Sequence, residues 1–146
     1  MDDFDLQVKA RMDARQAEQE AEERAAVRVA RDKQVRRDHS MRIVRDSAGV
    51  VFDRMAERLR LHGLEAQALE TWSTADGHTV THLDIATKTG PRKSALISAS
   101  KAPLRDTIVL TAQPPFEGHG SLEFDHADQV GMERVIQGWV LRWLDS

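Results

Sequence analysis

The 146-residue chain has no cysteine. That absence excludes disulfides, thiol chemistry and Cys-ligated zinc. Only four prolines occur, the first at Pro91, and no glycine precedes Gly49. The N-terminal third therefore lacks both strong helix breakers. No apolar run approaches the roughly 20 residues that span a bilayer, so no membrane partner is expected. The opening MDDFDLQVKA is acidic where a signal peptide is basic, and it has no apolar h-region. The expectation is a soluble, cytoplasmic protein.

Charge is plentiful and unevenly placed. Charged residues make up 31% of the chain, and the formal net charge is −3. That total hides three zones. Residues 1–23 carry −5, residues 24–45 carry +6, and residues 46–146 carry −4. Such segregation bears on partners and says nothing about fold.

The segment Asp13–Asp38 is rich in Ala, Glu, Gln and Arg, all strong helix formers. Large apolar residues are scarce there, with Val27, Val29 and Val35 as exceptions. Acid-before-base pairs such as Glu20–Arg24 and Asp32–Arg36 each add only about 0.2–0.5 kcal/mol. A helix that is polar all round needs such pairs or a partner. Residues 1–40 therefore read as a charged helical or partly disordered arm. From Met41 the pattern changes. Met41, Val44, Ala48, Val51, Met55, Leu59 and His62 recur at steps of three and four, an apolar stripe on one helix face. The helix is expected over 41–62, with Gly63 suited to its C-terminal cap. If unbroken from the start, it would be roughly 90 Å long at 1.5 Å per residue, so a projecting or kinked helix is expected.

Residues 41–146 read as an α+β domain. Asp76-Gly77 and Gly90-Pro91 are turn signals. Segments 78–88, 93–100 and 106–113 place Leu83 and Ile85, then Ala95, Ile97 and Ala99, then Ile108, Leu110 and Ala112 on single faces. Weaker strands are expected at 64–73 and 121–124. The sum is a four- to five-stranded antiparallel β-meander within 64–124. A C-terminal amphipathic helix is expected over 126–145, with Asp125 as its N-cap. Its apolar residues Met132, Val135, Ile136, Trp139, Val140, Trp143 and Leu144 should pack on the sheet.

Chemical motifs are sparse. His78 and His82 are four residues apart, which on a strand means about 13 Å, too far to share one ion. A four-histidine site would also need His119 and His126. Ser94, Ser98 and Ser100 alternate on one strand without a G-x-S-x-G elbow. GPRKS at 90–94 lacks the first glycine of a phosphate loop. Asp84, Glu123 and Asp125 are candidate acids that nothing in sequence brings together. No catalytic, metal or cofactor residues are assigned, and a non-enzymatic role is expected.

The basic segment 24–45 is the strongest functional clue. Arg24, Arg28, Arg31, Arg36 and Arg37 are candidate nucleic-acid contacts. The order of a basic segment followed by an apolar stripe resembles a bZIP region. The stripe spans barely three heptads, and no Asn stands where base contacts would be made. The competing expectation is that these bases meet the acids of residues 1–23, in the chain or on a second copy, as in a coiled coil. On that reading the protein is a binding or adaptor module that self-associates, as a homodimer, through its N-terminal helix. Its partner surface is either the stripe Met41, Val44, Val51, Met55 and Leu59, or the sheet face opposite Trp139 and Trp143. A third expectation is a small-ligand or enzyme pocket between sheet and C-terminal helix.

Overall fold

The fold was taken from a computed structural model, which describes residues 2–72, 79–113 and 121–146. Helix α1 spans Asp3–Val44, a π-helical turn spans Arg45–Gly49, and helix α2 spans Val50–Leu61. Five strands follow: β1 (Leu64–Trp72), β2 (Thr79–Thr87), β3 (Ser94–Lys101), β4 (Thr107–Gln113) and β5 (Leu122–Asp125). Helix α3 (Gln129–Asp145) closes the chain. The chain divides into two compact units, Met1–Arg36 and Arg37–Ser146.

In the first unit every described residue is exposed and helical from Asp3 onward. Its hydrogen bonds are local. Arg24 and Arg36 return their guanidinium groups to the carbonyls of Glu20 and Asp32, one turn back. The acid–base spacing seen in the sequence thus yields backbone contacts at these two sites.

The second unit is an α+β fold of two layers. Its sheet runs in the order β1-β2-β3-β4-β5, with every neighbour antiparallel. The expected meander is therefore present with all five strands. One sheet face carries Leu83, Ile85, Ala95, Ile97, Ala99, Ile108 and Leu110, all buried. Against it pack Val44, Ala48, Val51, Phe52, Met55 and Leu59 from the helical segment, and Met132, Ile136, Trp139 and Trp143 from α3. Burying each large apolar side chain contributes about 1.5–3 kcal/mol. Helices α2 and α3 are also tied at their solvent edge. Arg58 binds Glu133 at 3.1 Å, and Arg54 binds Gln129 at 3.1 Å.

The π-helical turn was not expected from the sequence. It widens the helix just where residues 44 and 48 must both reach the core. Widening leaves carbonyls without their usual amide partner. The Ser47 hydroxyl answers one of them by donating to the Ile43 carbonyl. Ser40, one turn before Val44, is 3% exposed, and its hydroxyl has no partner among the described residues. A buried hydroxyl without a partner costs about 1–3 kcal/mol. Ser40→Ala should therefore raise the unfolding free energy by about 1 kcal/mol, read as a thermal midpoint roughly 4 °C higher. A fall in the midpoint would mean that the hydroxyl is satisfied.

The start of α3 differs from the sequence expectation. The helix begins at Gln129, and its N-cap is Asp128, not Asp125. The Asp128 carboxylate accepts from the Gly131 amide at 2.9 Å. A Cβ at residue 131 would lie 2.3 Å from that carboxylate, so any other residue there would require the Asp128 side chain to shift. Asp125 instead accepts from the Ala127 amide, a turn that precedes the helix. At the other junction Gly63 takes φ +85°, the left-handed conformation that ends α2 as expected.

Candidate interaction surfaces

The residues proposed for function fall into separate places. Arg24, Arg28, Arg31 and Arg36 lie on α1 in the first unit and are exposed. Arg28, Arg31 and Lys33 are exposed and enter none of the ion pairs seen among the described residues. Seven large apolar residues of α1 are also exposed: Phe4, Leu6, Val8, Met12, Val27, Val29 and Val35. Phe4 is 68% exposed and Val35 61%. Arg37 belongs to the second unit and is half-buried.

The stripe proposed as a partner surface is placed elsewhere. Val44, Val51, Met55 and Leu59 are buried in the core of the second unit, and Met41 is half-buried. These side chains cover the chain's own sheet and are not available to a partner. The reason is legible afterwards: the sheet needs an apolar layer, and α3 alone covers only part of it.

The opposite sheet face carries no helix among the described residues. Leu69, His82, Ser98 and Thr111 lie in register across four strands. His82 sits between two hydroxyls, Thr71 at 2.8 Å and Ser98 at 3.0 Å. An imidazole can donate at one nitrogen and accept at the other, and a hydroxyl can do either, so both bonds can be made. The Ser98–His82 pair has a hydroxyl, not a carboxylate, at the far nitrogen. It lacks the group that stabilises an imidazolium during nucleophilic catalysis. At one end of the sheet an open groove of about 880 Å³ is bordered by Glu65, Asp84, Lys88, Arg92 and Leu96. Neither Trp139 nor Trp143 lines it. Both are buried in the core between sheet and α3, where the small-ligand pocket was expected.

A polar cluster that sequence reading missed surrounds Asp106, in the connection between β3 and β4. His39 of α1 bonds its carboxylate at 2.8 Å, and Lys101 lies at 3.7 Å. His126 donates through Nδ1 to the Asp106 carbonyl at 2.9 Å. His39 and Asp106 are 67 residues apart, so no spacing rule could have joined them. The hydrogen bond from His39 is the main cause that lowers the Asp106 pKa below its ordinary 3.8. A carboxyl group lowered in the fold stabilises the protein above the unfolded value, and that contribution is lost as pH falls through the folded value. Asp106→Asn should therefore destabilise the protein near pH 6, and the difference from wild type should shrink below pH 4. Urea midpoints of both proteins at several pH values test this. A difference independent of pH would remove the assignment.

Other sequence candidates are not brought together. His78 and His119, and with them the four-histidine site, lie outside the described residues. Among the described residues no group of three or more His, Asp or Glu is placed to hold a metal ion. No helix among them is long and apolar enough to cross a membrane. At the edge of β1, Arg45 forms a two-pronged pair with Glu70 at 2.9–3.1 Å, which ties the π-helical turn to the sheet.

No protein-family model, curated protein or solved structure matches the chain.

Proposed function

We propose that the protein is a non-enzymatic binding or adaptor module that self-associates through its N-terminal helix. One observation carries this reading. Residues 3–36 are helical and every side chain among them is exposed, seven large apolar ones included. A polar helix without tertiary contacts is marginal in water, and packing normally supplies the missing stability. A second helix of the same kind supplies apolar contact and opposite charge together. With the 41–59 stripe in the core, the uncovered sheet face is the remaining partner surface of the second unit. Light scattering on the full chain, and on a chain lacking residues 2–36, tests the proposal. The expected result is a two-chain mass that falls to one chain on deletion. A single-chain mass for both would sink it.

A second reading draws on the exposed bases. Arg28, Arg31 and Lys33 are exposed and of the charge that meets nucleic-acid phosphates. Binding of this kind weakens steeply with salt as counterions are displaced. Reversing the charge at Arg28, Arg31, Arg36 and Arg37 should then abolish binding to a generic duplex. Unchanged affinity would exclude this use of the segment.

A further inference from the structure

We infer that two copies pair their N-terminal helices antiparallel, with the charge reversal at Glu23–Arg24 on the two-fold axis. The inference rests on the self-association proposed above and adds its partner, orientation and register. The argument begins with block charge. Residues 13–23 hold Asp13, Glu18, Glu20, Glu22 and Glu23 against the single base Arg15, a net of −4. The equal length that follows, residues 24–34, holds Arg24, Arg28, Arg31 and Lys33 against the single acid Asp32, a net of +3. All lie on one helix and all are exposed.

A parallel pair would lay each block against its own copy, acid on acid and base on base. Like charges at contact distance oppose association. An antiparallel pair lays each acidic block on the partner's basic block, twice by symmetry. The sign changes between residues 23 and 24, so the overlap of opposite blocks is greatest when the axis passes there. Level positions then sum to 47. Glu23 then meets the partner's Arg24. The exposed aliphatics fall within the same overlap. Glu20 lies level with the partner's Val27, and Met12 with the partner's Val35. The Val27 methyl groups gain cover from the Glu20 stem, and Met12 and Val35 cover each other. The arrangement is isologous, as a closed two-chain assembly requires.

The absence of cysteine makes orientation directly measurable. Ala10→Cys and Ala21→Cys each introduce one thiol for a spin label on the full chain. Each label reports its distance to the same label on the partner. For the axis at 23–24, the 1.5 Å rise places the residue-10 labels about 40 Å apart along the axis. The residue-21 labels are within about 10 Å along the axis. The expected result is therefore a long distance at residue 10 and a short one at residue 21. Short distances at both positions would mean a parallel pair and overturn the orientation, while self-association itself would stand. No intermolecular distance at either position, with a single-chain mass, would overturn both. A second experiment tests charge as the cause. Glu20→Lys with Glu23→Lys should weaken the pair at least tenfold. Mixing that variant with Arg24→Glu plus Arg28→Glu should restore association between unlike chains. Failure of the mixture to associate, with both variants folded, would overturn the charge pairing.

Discussion

Trp139→Ala is expected to cost about 3–5 kcal/mol of stability and to lower the thermal midpoint by roughly 10–20 °C. Trp139 is 2% exposed and lies in the cluster that joins α3 to the sheet. Its removal deletes one of the two buried tryptophan side chains among the described residues and leaves a cavity. Domains of this size hold about 5–15 kcal/mol in total, so the variant should be partly unfolded near body temperature. Leu144 on the same helix is 43% exposed, and Leu144→Ala should change stability by no more than about 0.5 kcal/mol. Urea unfolding followed by ellipticity compares the two. Equal costs would mean that α3 does not pack by the face described.

A second large effect concerns the N-terminal helix. Ala17→Gly, Ala21→Gly and Ala25→Gly together should cost about 3 kcal/mol of helix stability per chain. If helix formation is coupled to association, the dissociation constant should rise by at least two orders of magnitude. The far-UV helix signal should fall with it. All three tryptophans lie beyond residue 36, so tryptophan fluorescence reports the second unit alone. Its urea transition should stay where it is. Loss of association with an unmoved fluorescence transition would separate the function of the helix from the folding of the second unit. A shift of both would show that the helix stabilises the second unit.

The fold was largely legible because its signals are local. Val44, Ala48, Val51, Met55 and Leu59 recur at helical spacing, and each is buried. Leu83 and Ile85, Ile97 and Ala99, and Ile108 and Leu110 alternate on their strands and share one face. What was not legible depends on contacts remote in sequence. Asp125 and Asp128 are equally good caps by type, and the structure gives Asp125 to the preceding turn and Asp128 to the helix. The π-helical turn carries Ser47 and Ala48 into the core, and no pattern within residues 45–49 encodes it. The stripe could face a partner or the chain's own sheet by periodicity alone. Burial decided for the sheet, because five strands present more apolar surface than α3 can cover. The Asp106 cluster draws His39, Lys101 and His126 from three separate elements. By contrast, the segregation of charge in residues 1–45 is entirely a property of the sequence. The structure adds that those of residues 2–36 stay exposed.

The most direct measurement is the mass of the full chain by light scattering over a range of concentration, at about 50 mM and about 500 mM salt. Screening lengths shorten about threefold over that range, so exposed charge pairs weaken. The account predicts a two-chain mass at low salt, with dissociation at higher dilution and a midpoint that moves to higher concentration as salt is added. A mass of 16.5 kDa at every concentration and at both salt levels would contradict it.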